Sequence, residues 1–407
     1  MLTPSEAIRL VLETAAKGRA VEKSLEQACF LVAAEDIVAE QAYPYFSYSA
    51  MDGYAVHSAD LAEACAERPV SLPLAGEIRA GAGESPVLRR GQAIRIMTGG
   101  PLPEGCDAVV QREDVAERED SVTFSGAVAE GNFINRQGEE IERGAVLWAA
   151  GEILNPAAVG FLATFGVCSA AVYTVPSVSV LATGDELIAP GQPRSGGLIY
   201  DSATPMLAAA FRAAHIERIG SLRCRDDPAA LQEAISRALA DSDIVVTVGG
   251  VSMGDYDFVG DAAERAGVEK VFWKVSQKPG KPLYFGSKGD RLFFGLPGNP
   301  AAVLACFHLY VLPALRRIMG FSAPGPEWRT GFLAEAMDNG TDRTNFLRVV
   351  ARRDSQGGYL LERSGGQSSY MLGSFSRANA LALIPPGPVR LDAGEKVQFT
   401  LLFRESE

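Results

Sequence analysis

The stretch from residue 177 to residue 318 constrains the fold most, because short apolar runs alternate there with segments of helical character. The predicted elements are strands at 177–182, 219–224, 243–248 and 291–295, and helices at 203–215, 228–239 and 301–318. Strands that alternate with helices in this way indicate a doubly wound α/β domain around a parallel sheet. The run at 243–248 is apolar almost throughout, as expected for a strand that is covered on both faces.

Three glycine-containing loops follow strands of this predicted sheet, at 183–186, 249–257 and 296–300. In such sheets, ligands bind beyond the carboxyl ends of the strands, so these loops are expected to meet. Asn299 is a suitable N-cap and Pro300 a suitable first residue for the helix that follows. The amide groups and positive dipole end of that helix predict a site for an anion.

A rigid turn with two lysines, Lys278-Pro279-Gly280-Lys281-Pro282, lies between apolar runs at 271–273 and 283–285. We interpret this as strand, turn, strand, because each proline fixes its own φ and lacks an amide donor. The two ammonium groups would act as point charges on an oxyanion. The alternative is a surface hairpin whose lysines are merely solvated.

The N-terminal segment predicts two helices. Thr3-Pro4-Ser5-Glu6 is a capping box with proline at the first helical position, and Ser24 is expected to open a second helix that ends near residue 37. A third, short helix is expected to start at Pro156 and to stop near Gly166.

Residues 40–150 and the chain after residue 324 show short β-like runs that are interrupted by glycine and proline. The predicted fold is therefore multidomain α/β plus β: a doubly wound parallel α/β domain, an elongated β-rich domain and a small C-terminal β-barrel-like domain. The predicted boundaries are 1–42 with 143–175 for an N-terminal helical and linker domain, 43–142 for the elongated domain, 176–322 for the α/β domain and 323–407 for the C-terminal domain.

Composition excludes several classes of partner. A net charge of −12 argues against nucleic acid and against an anionic membrane surface. The six cysteines and three histidines are scattered, so a zinc site is not expected, and the cysteines are interpreted as buried thiols in a reducing compartment. No continuous apolar run approaches 18 residues and no signal peptide is visible, so we expect a cytoplasmic protein without a membrane helix.

Six motifs, taken together and in order, carry a resemblance to a known family. They are SAMDGYA at 49–55, RIMTG at 95–99, TGDEL at 183–187, GGVS at 249–252, KPGKP at 278–282 and LPGNP at 296–300. This set resembles the MoeA family of molybdopterin molybdenumtransferases, which is also found as the E domain of gephyrin-like proteins. The resemblance covers nearly the whole chain.

The resemblance implies an activity. MoeA-like enzymes take adenylylated molybdopterin, release AMP and insert molybdate into the dithiolene, assisted by Mg²⁺. It also implies a homodimer in which the α/β domain of one subunit and the elongated domain of the other form a composite active site. A molybdopterin adenylyltransferase and recipient molybdoenzymes are possible partners.

The resemblance assigns roles to individual residues. Catalytic roles fall on Asp52, Thr98, Glu140, Asp185, Glu186, Asp226, Asp227 and Asp257. Substrate or molybdate binding falls on Ser252, Lys274, Lys278, Lys281, Pro297, Asn299, Pro300, Arg348 and Ser369. Carboxylates beside phosphate repel unless a cation intervenes, and Mg²⁺ held by Glu186 and Asp257 would resolve this.

Two positions depart from the family pattern, and two other functions compete. Glu140 stands where the family often has aspartate, and Gln367-Ser368-Ser369 stands for Gln-Gly-Ser, so Ser368 remains an alternative to Ser369. One competing function is the adenylyltransferase that makes adenylylated molybdopterin, but that family has Gly-Gly-Thr-Gly after the strand and lacks the flanking β domains. The other is a non-catalytic scaffold, for which no docking segment stands out.

Overall fold

The computed structural model describes residues 1–81, 83, 86–251, 258–355 and 357–402, which form two compact units. The first unit comprises Met1–Glu35, Ala150–Pro156 and Ser169–Glu407, and the second comprises Asp36–Ala149 and Ala157–Cys168. The four predicted domain boundaries are finer than this division and stay predictions.

A six-stranded sheet lies at the centre of the first unit. Its strands run in the order Ile219–Cys224, Val178–Thr183, Ile244–Val248, Arg291–Leu296, Tyr284–Lys288 and Glu269–Trp273. The first four strands are parallel, as predicted. The last two are antiparallel and flank the lysine turn, so the sheet as a whole is mixed.

Helices cover both faces of this sheet, which explains why its central strand is apolar at successive positions. Val246 packs in the same buried cluster as helix Ala203–Ala213, whereas Val245 packs with helices Pro228–Asp241 and Val259–Arg265. The sheet is therefore wound on both sides, and its functional groups must lie at the strand ends.

The helix that follows the LPGNP motif runs along the core in three parts. Pro300–Cys306 and Leu312–Ile318 are α-helical, and Phe307–Val311 between them is a π-helical turn. Within the described residues, Pro300–Ile318 alone is long and apolar enough for a membrane span by length and composition, but 83% of its apolar window is buried in the fold. We did not predict this helix as a candidate span from the sequence, because we looked for unbroken apolar runs and not for a high mean hydropathy over 18 residues. Such burial is usual for a helix in the core of a folded domain.

The predicted helix starts are correct, but one predicted helix is far too long. The Thr3 amide donates to Glu6 Oε2 at 2.7 Å, which completes the capping box of helix Pro4–Thr14. The Ser24 hydroxyl caps a helix that spans only Leu25–Ala28. The predicted extension to residue 37 is wrong, because Phe30 adopts a positive φ of 66° and the chain then forms β-bridges to Ile153 and Val172.

A small barrel closes the first unit after residue 328. Its strands pair in the order Thr344–Arg353, Tyr359–Arg363, Arg329–Leu333, Lys396–Leu401 and Ala380–Ile384, and the last pairs back onto the first. This confirms the C-terminal β-barrel-like domain. The shorter elements of the first unit are Ala20–Ser24, Ser169–Tyr173, Leu187–Ile188, Ile199–Tyr200, Gln277–Lys278, Met337–Thr341, Gly387–Leu391 and the 3₁₀ turn Leu372–Ser374.

The second unit is β-rich, as predicted for residues 40–150. Its six-stranded sheet has the order Ala108–Gln111, Gly53–Val56, Ala93–Ile96, Val70–Ile78, Ser121–Phe124 and Val115–Glu117. Its other elements are strands Ile37–Val38, Tyr48–Ser49, Ile134–Asn135 and Val146–Trp148, 3₁₀ turns Ser58–Leu61 and Arg112–Asp114, and most of helix Pro156–Thr164.

The cysteines differ from expectation in their burial. All six carry free thiols, but Cys306 alone is buried and Cys168 is exposed. The prediction of buried thiols is therefore confirmed for Cys306 and wrong for Cys168, whereas Cys29, Cys65, Cys106 and Cys224 are partly buried.

Candidate active site

The carboxyl ends of the first two parallel strands bring two acidic loops together. Thr183 and Cys224 are register partners, and the Thr183 hydroxyl donates to Asp226 Oδ1 at 2.5 Å. Asp227 caps the next helix by accepting a hydrogen bond from the Ala230 amide at 2.8 Å. The carboxylates after Thr183 and Cys224 therefore lie at one edge of the sheet.

The negative charge of this acidic edge affects the pKa of a neighbouring thiol, that of Cys224. Burial raises the pKa of Cys224, and the negative charges of Asp227, Asp226 and Asp185 raise it further. Asp185 and Glu186 are themselves exposed. Carboxylate oxygens are ligands of the kind that Mg²⁺ prefers, so the chemistry of these two side chains suits that ion.

The third and fourth parallel strands add the two glycine-containing loops to the same edge. The Gly249 amide donates to the Leu296 carbonyl at 3.0 Å. Gly249 has a φ of +96°, and a Cβ there would lie 2.7 Å from the Thr183 carbonyl oxygen, so this close crossing of loops requires glycine. Ser252 and Asp257, which continue the loop, lie outside the described residues.

The LPGNP loop contacts the barrel. The Asn299 side-chain amide donates to the Ser369 hydroxyl at 3.0 Å, whereas its side chain makes no capping hydrogen bond at the helix start. Asn299 is at the predicted N-cap position, but its side chain reaches across to the barrel loop instead. Pro297 is buried, and Pro300 is the first residue of the helix.

Arg348 holds the loop that carries Ser369. Its side chain is 1% exposed, and its guanidinium donates to Ser374 Oγ, the Gly366 carbonyl and the Ser368 carbonyl at 2.9, 2.8 and 3.1 Å. Desolvation lowers the pKa of Arg348 to about 10. The structure thus gives Arg348 a role within the protein, and a direct contact with substrate stays a prediction.

The lysine turn packs against the helix that follows LPGNP. Lys278 is exposed and Lys281 half-buried, while Gly280 between them is buried. A Cβ on Gly280 would lie 3.8 Å from the Ala302 carbonyl oxygen, in the first turns of that helix. The turn therefore lies close to the start of the helix, where Asn299 meets Ser369.

Lys274 lies upstream of this turn, and its side chain is oriented by a contact with the neighbouring Trp273 ring. Its φ is +70°, and its ammonium group sits 3.8 Å from the centroid of the Trp273 ring. The Trp273 indole N–H donates to the Val251 carbonyl at 3.1 Å, at the end of the glycine loop. A cation–π contact of this kind orients the lysine beside that loop.

In the second unit, the structure brings Asp52 and Thr98 together. Asp52 Oδ1 accepts hydrogen bonds from the Thr98 amide and from the Thr98 hydroxyl, each at 2.7 Å. These bonds, the backbone one first, lower the pKa of Asp52. Glu140 lies on a separate exposed loop, where its amide donates to the Tyr43 carbonyl at 3.1 Å.

No cluster of three or more potential ligands for a metal ion is found among the residues that the structure describes. The predicted ligand Glu186 is exposed, and its predicted companion Asp257 lies outside those residues. The proposed Mg²⁺ ligands therefore stay predictions.

Sequence reasoning missed the residues beneath the lysine turn. Gln277 and Tyr310 are both fully buried, and the Tyr310 hydroxyl donates to Gln277 Oε1. A glutamine before a motif and a tyrosine inside an apolar helix carry no local signal, because only the fold brings them together.

Three family models match the chain in order. Residues 2–166 match the MoeA N-terminal region (domain I and II), residues 179–317 a probable molybdopterin binding domain, and residues 330–402 the MoeA C-terminal region (domain IV). The flanking matches weigh against the adenylyltransferase alternative, because that family lacks both β domains.

Curated relatives match over nearly the full length. The chain is 35% identical over 405 residues to "Molybdopterin molybdenumtransferase 2" of Mycobacterium tuberculosis, covering 98% of this chain and 99% of the relative. It is 33% identical to "Molybdopterin molybdenumtransferase" of Haemophilus influenzae, covering 92% of each. The solved structure of a molybdopterin biosynthesis MoeA protein from Pyrococcus horikosii superposes with a TM-score of 0.84 at 29% identity and covers 99% of both chains.

Fold, loops and matches together define a multidomain α/β plus β protein of molybdenum cofactor biosynthesis, with a molybdopterin-binding type of α/β domain between two β-rich regions. The chain belongs to the MoeA family. The resemblance drawn from its six motifs and the predicted fold class are confirmed.

Proposed function

We propose that this protein is a molybdopterin molybdenumtransferase, which inserts molybdate into adenylylated molybdopterin and releases AMP. The observation that carries the proposal is the meeting of Asn299 with Ser369 beside the lysine turn, at the edge of the sheet that bears Asp185 and Asp226. In this proposal an anionic substrate would bind at that edge, with cationic, hydroxyl and carboxylate groups as its partners.

The two substrates are a phosphoanhydride and a tetrahedral dianion, and they need separate partners. Lys278 and Lys281 would hold oxyanions by charge-assisted hydrogen bonds, and Ser369 would donate its hydroxyl. Asn299 would orient that hydroxyl through the bond at 3.0 Å. Lys274, Pro297 and Pro300 would shape the same pocket, and Ser252 would add a donor from the glycine loop.

The carboxylates require a cation. Asp185, Glu186, Asp226 and Asp227 would repel a phosphoanhydride, and we assign Mg²⁺ to Glu186 with Asp257. When bound, Mg²⁺ supplies charge that polarises the anhydride for the departure of AMP. The chain's own contribution is to aim these carboxylates from two adjacent strand ends, with Asp226 fixed by the Thr183 hydroxyl.

The remaining residues belong to the elongated domain. Asp52 and Thr98, with Glu140, would complete the site of the partner subunit in a cytoplasmic homodimer. A molybdopterin adenylyltransferase would supply the adenylylated substrate, and molybdoenzymes would receive the product.

The test is a reaction of purified protein with adenylylated molybdopterin, molybdate and Mg²⁺. AMP release that depends on molybdate supports the proposal. A folded oligomer that releases no AMP under these conditions would instead favour the scaffold alternative.

A further inference from the structure

We propose that Gln277 and Tyr310 are positioning residues that fix the two lysines of the 278–281 turn from inside the core. This inference rests on the proposed function, in which those lysines hold an oxyanion. Gln277 and Tyr310 do not touch substrate, and act through the backbone of the turn.

The amide of Gln277 binds the turn directly. Its Nε2 donates to the Pro279 carbonyl at 2.9 Å and lies 3.4 Å from the Gly280 carbonyl. Both carbonyls belong to the peptide segment between the two lysines. Because Gln277 is fully buried, water cannot replace these bonds without opening the core.

The turn has no room to move toward the core. Gly280 has a φ of +91°, and a Cβ there would lie 2.5 Å from Cys306 Sγ and 2.7 Å from Gln277 Nε2. The Lys281 carbonyl accepts bonds from the Val275 and Leu283 amides at 3.0 and 3.1 Å. The middle of the turn and its Lys281 end are thus held separately.

Tyr310 fixes the orientation of the Gln277 amide. Its hydroxyl donates to Gln277 Oε1, which leaves Nε2 to face the turn. Burial raises the pKa of Tyr310 well above its usual value, so the hydroxyl keeps its proton and stays a donor. Tyr310 lies in the π-helical turn Phe307–Val311, and such turns are frequent at functional sites.

The consequence is a preorganised pair of charges. A loose turn would have to be ordered when molybdate binds, and that cost would weaken binding. The Gln277–Tyr310 pair orders the turn before molybdate binds, so binding does not have to order it. The pair also connects the lysines to the core helix Pro300–Ile318.

The first test compares Tyr310→Phe with Tyr284→Phe. Tyr284 is also a buried tyrosine of the α/β domain, but its hydroxyl has no hydrogen-bond partner among the described residues, so it is a matched control. Loss of a hydrogen bond costs about 1 kcal/mol, or roughly 5-fold in an equilibrium constant. We expect Tyr310→Phe to raise the molybdate concentration for half-maximal AMP release about 5-fold, with little change in turnover at saturating molybdate. Tyr284→Phe should leave both quantities unchanged.

The second test is a double-mutant cycle with Lys281→Ala. If Tyr310 acts through the lysine turn, Tyr310→Phe should have little further effect on the molybdate dependence of Lys281→Ala. Additive effects would mean that Tyr310 contributes only general stability, and would overturn the proposal.

Amide hydrogen exchange separates this proposal from the proposed function, because it needs no activity. The Val275 and Leu283 amides, which donate to the Lys281 carbonyl, should exchange faster in Tyr310→Phe and in Gln277→Met than in Tyr284→Phe. Unchanged exchange, or failure of both variants to fold, would overturn the positioning role. Faster exchange together with a Lys281→Ala protein of normal molybdate dependence would instead contradict the assigned function of the lysines.

Discussion

The side-chain amide of Asn299 donates a hydrogen bond to the hydroxyl of Ser369 at 3.0 Å, across 70 positions of sequence. Asn299 immediately precedes the core helix and Ser369 lies on a barrel loop, so the bond joins the start of that helix to the barrel. Ser369 therefore lies beside the start of that helix, while the neighbouring Ser368 accepts a bond from Arg348 with its backbone carbonyl. That Ser369 is the serine that faces the anion stays a prediction.

Replacement of Arg348 should destabilise the protein. Arg348→Lys keeps the charge but loses the planar set of donors that binds three acceptors. An unsatisfied buried acceptor costs about 1–3 kcal/mol, so the free energy of unfolding should fall by about that amount in urea denaturation. Arg352→Lys, on the same strand with a side chain 69% exposed, is the control and should be near neutral.

The pKa of Asp52 should depend on the Thr98 hydroxyl. Because the folded-state pKa is lowered, Asp52 contributes stability above its unfolded pKa, and this is lost as pH falls through the folded pKa. In Thr98→Val the backbone bond remains and the hydroxyl bond is lost, so the pKa should rise part of the way to normal. Carboxyl NMR titration measures it, with Thr98→Ser as the control. An unchanged pKa in Thr98→Val would refute the assigned cause.

Turnover should require a divalent cation, because an acidic edge faces anionic substrates. Glu186→Gln should lower activity and raise the Mg²⁺ concentration needed for half-maximal AMP release. Glu233→Gln, an exposed carboxylate on helix Pro228–Asp241, should behave like the unmodified protein. Full activity in excess EDTA would show that no such ion is needed.

Two inactive variants should complement each other if the active site is composite. Asp52→Ala and Glu186→Ala place their lesions in different domains, so a mixed dimer has one site with both lesions and one with neither. Random exchange makes half of the dimers mixed, which predicts about a quarter of the original activity if the sites act independently. The two variants are mixed under mild denaturant so that subunits exchange, and mass measurement confirms the exchange. AMP release from the mixture then measures the restored activity. Activity that stays at the level of the separate variants would place each site within one chain.

Local signals predicted the parts of this fold that local interactions determine. The capping box at Thr3 and the stop at Gly166, with φ of +74°, are set by neighbours in sequence, and both are confirmed. The apolar run at 243–248 predicted a doubly covered strand because hydrophobic burial leaves a direct pattern.

Nonlocal contacts explain what was missed. The helix at Leu25 stops after Ala28 because the following chain bridges to Ile153 and Val172, which no local pattern encodes. The burial of Arg348 and the bond between Gln277 and Tyr310 likewise exist only once distant segments have packed. Of the candidate site, the motifs located the loops correctly at the sheet edge, but their supporting residues had to come from the structure.

The most direct measurement counts AMP released against molybdenum bound in the pterin product. With excess molybdate and Mg²⁺, we expect one AMP for each molybdenum incorporated, and little of either when Lys278 and Lys281 are both changed to alanine. Lys23→Ala, an exposed lysine on strand Ala20–Ser24, should match the unmodified protein. AMP release without molybdenum incorporation, or neither from a folded protein, would contradict the proposed transfer.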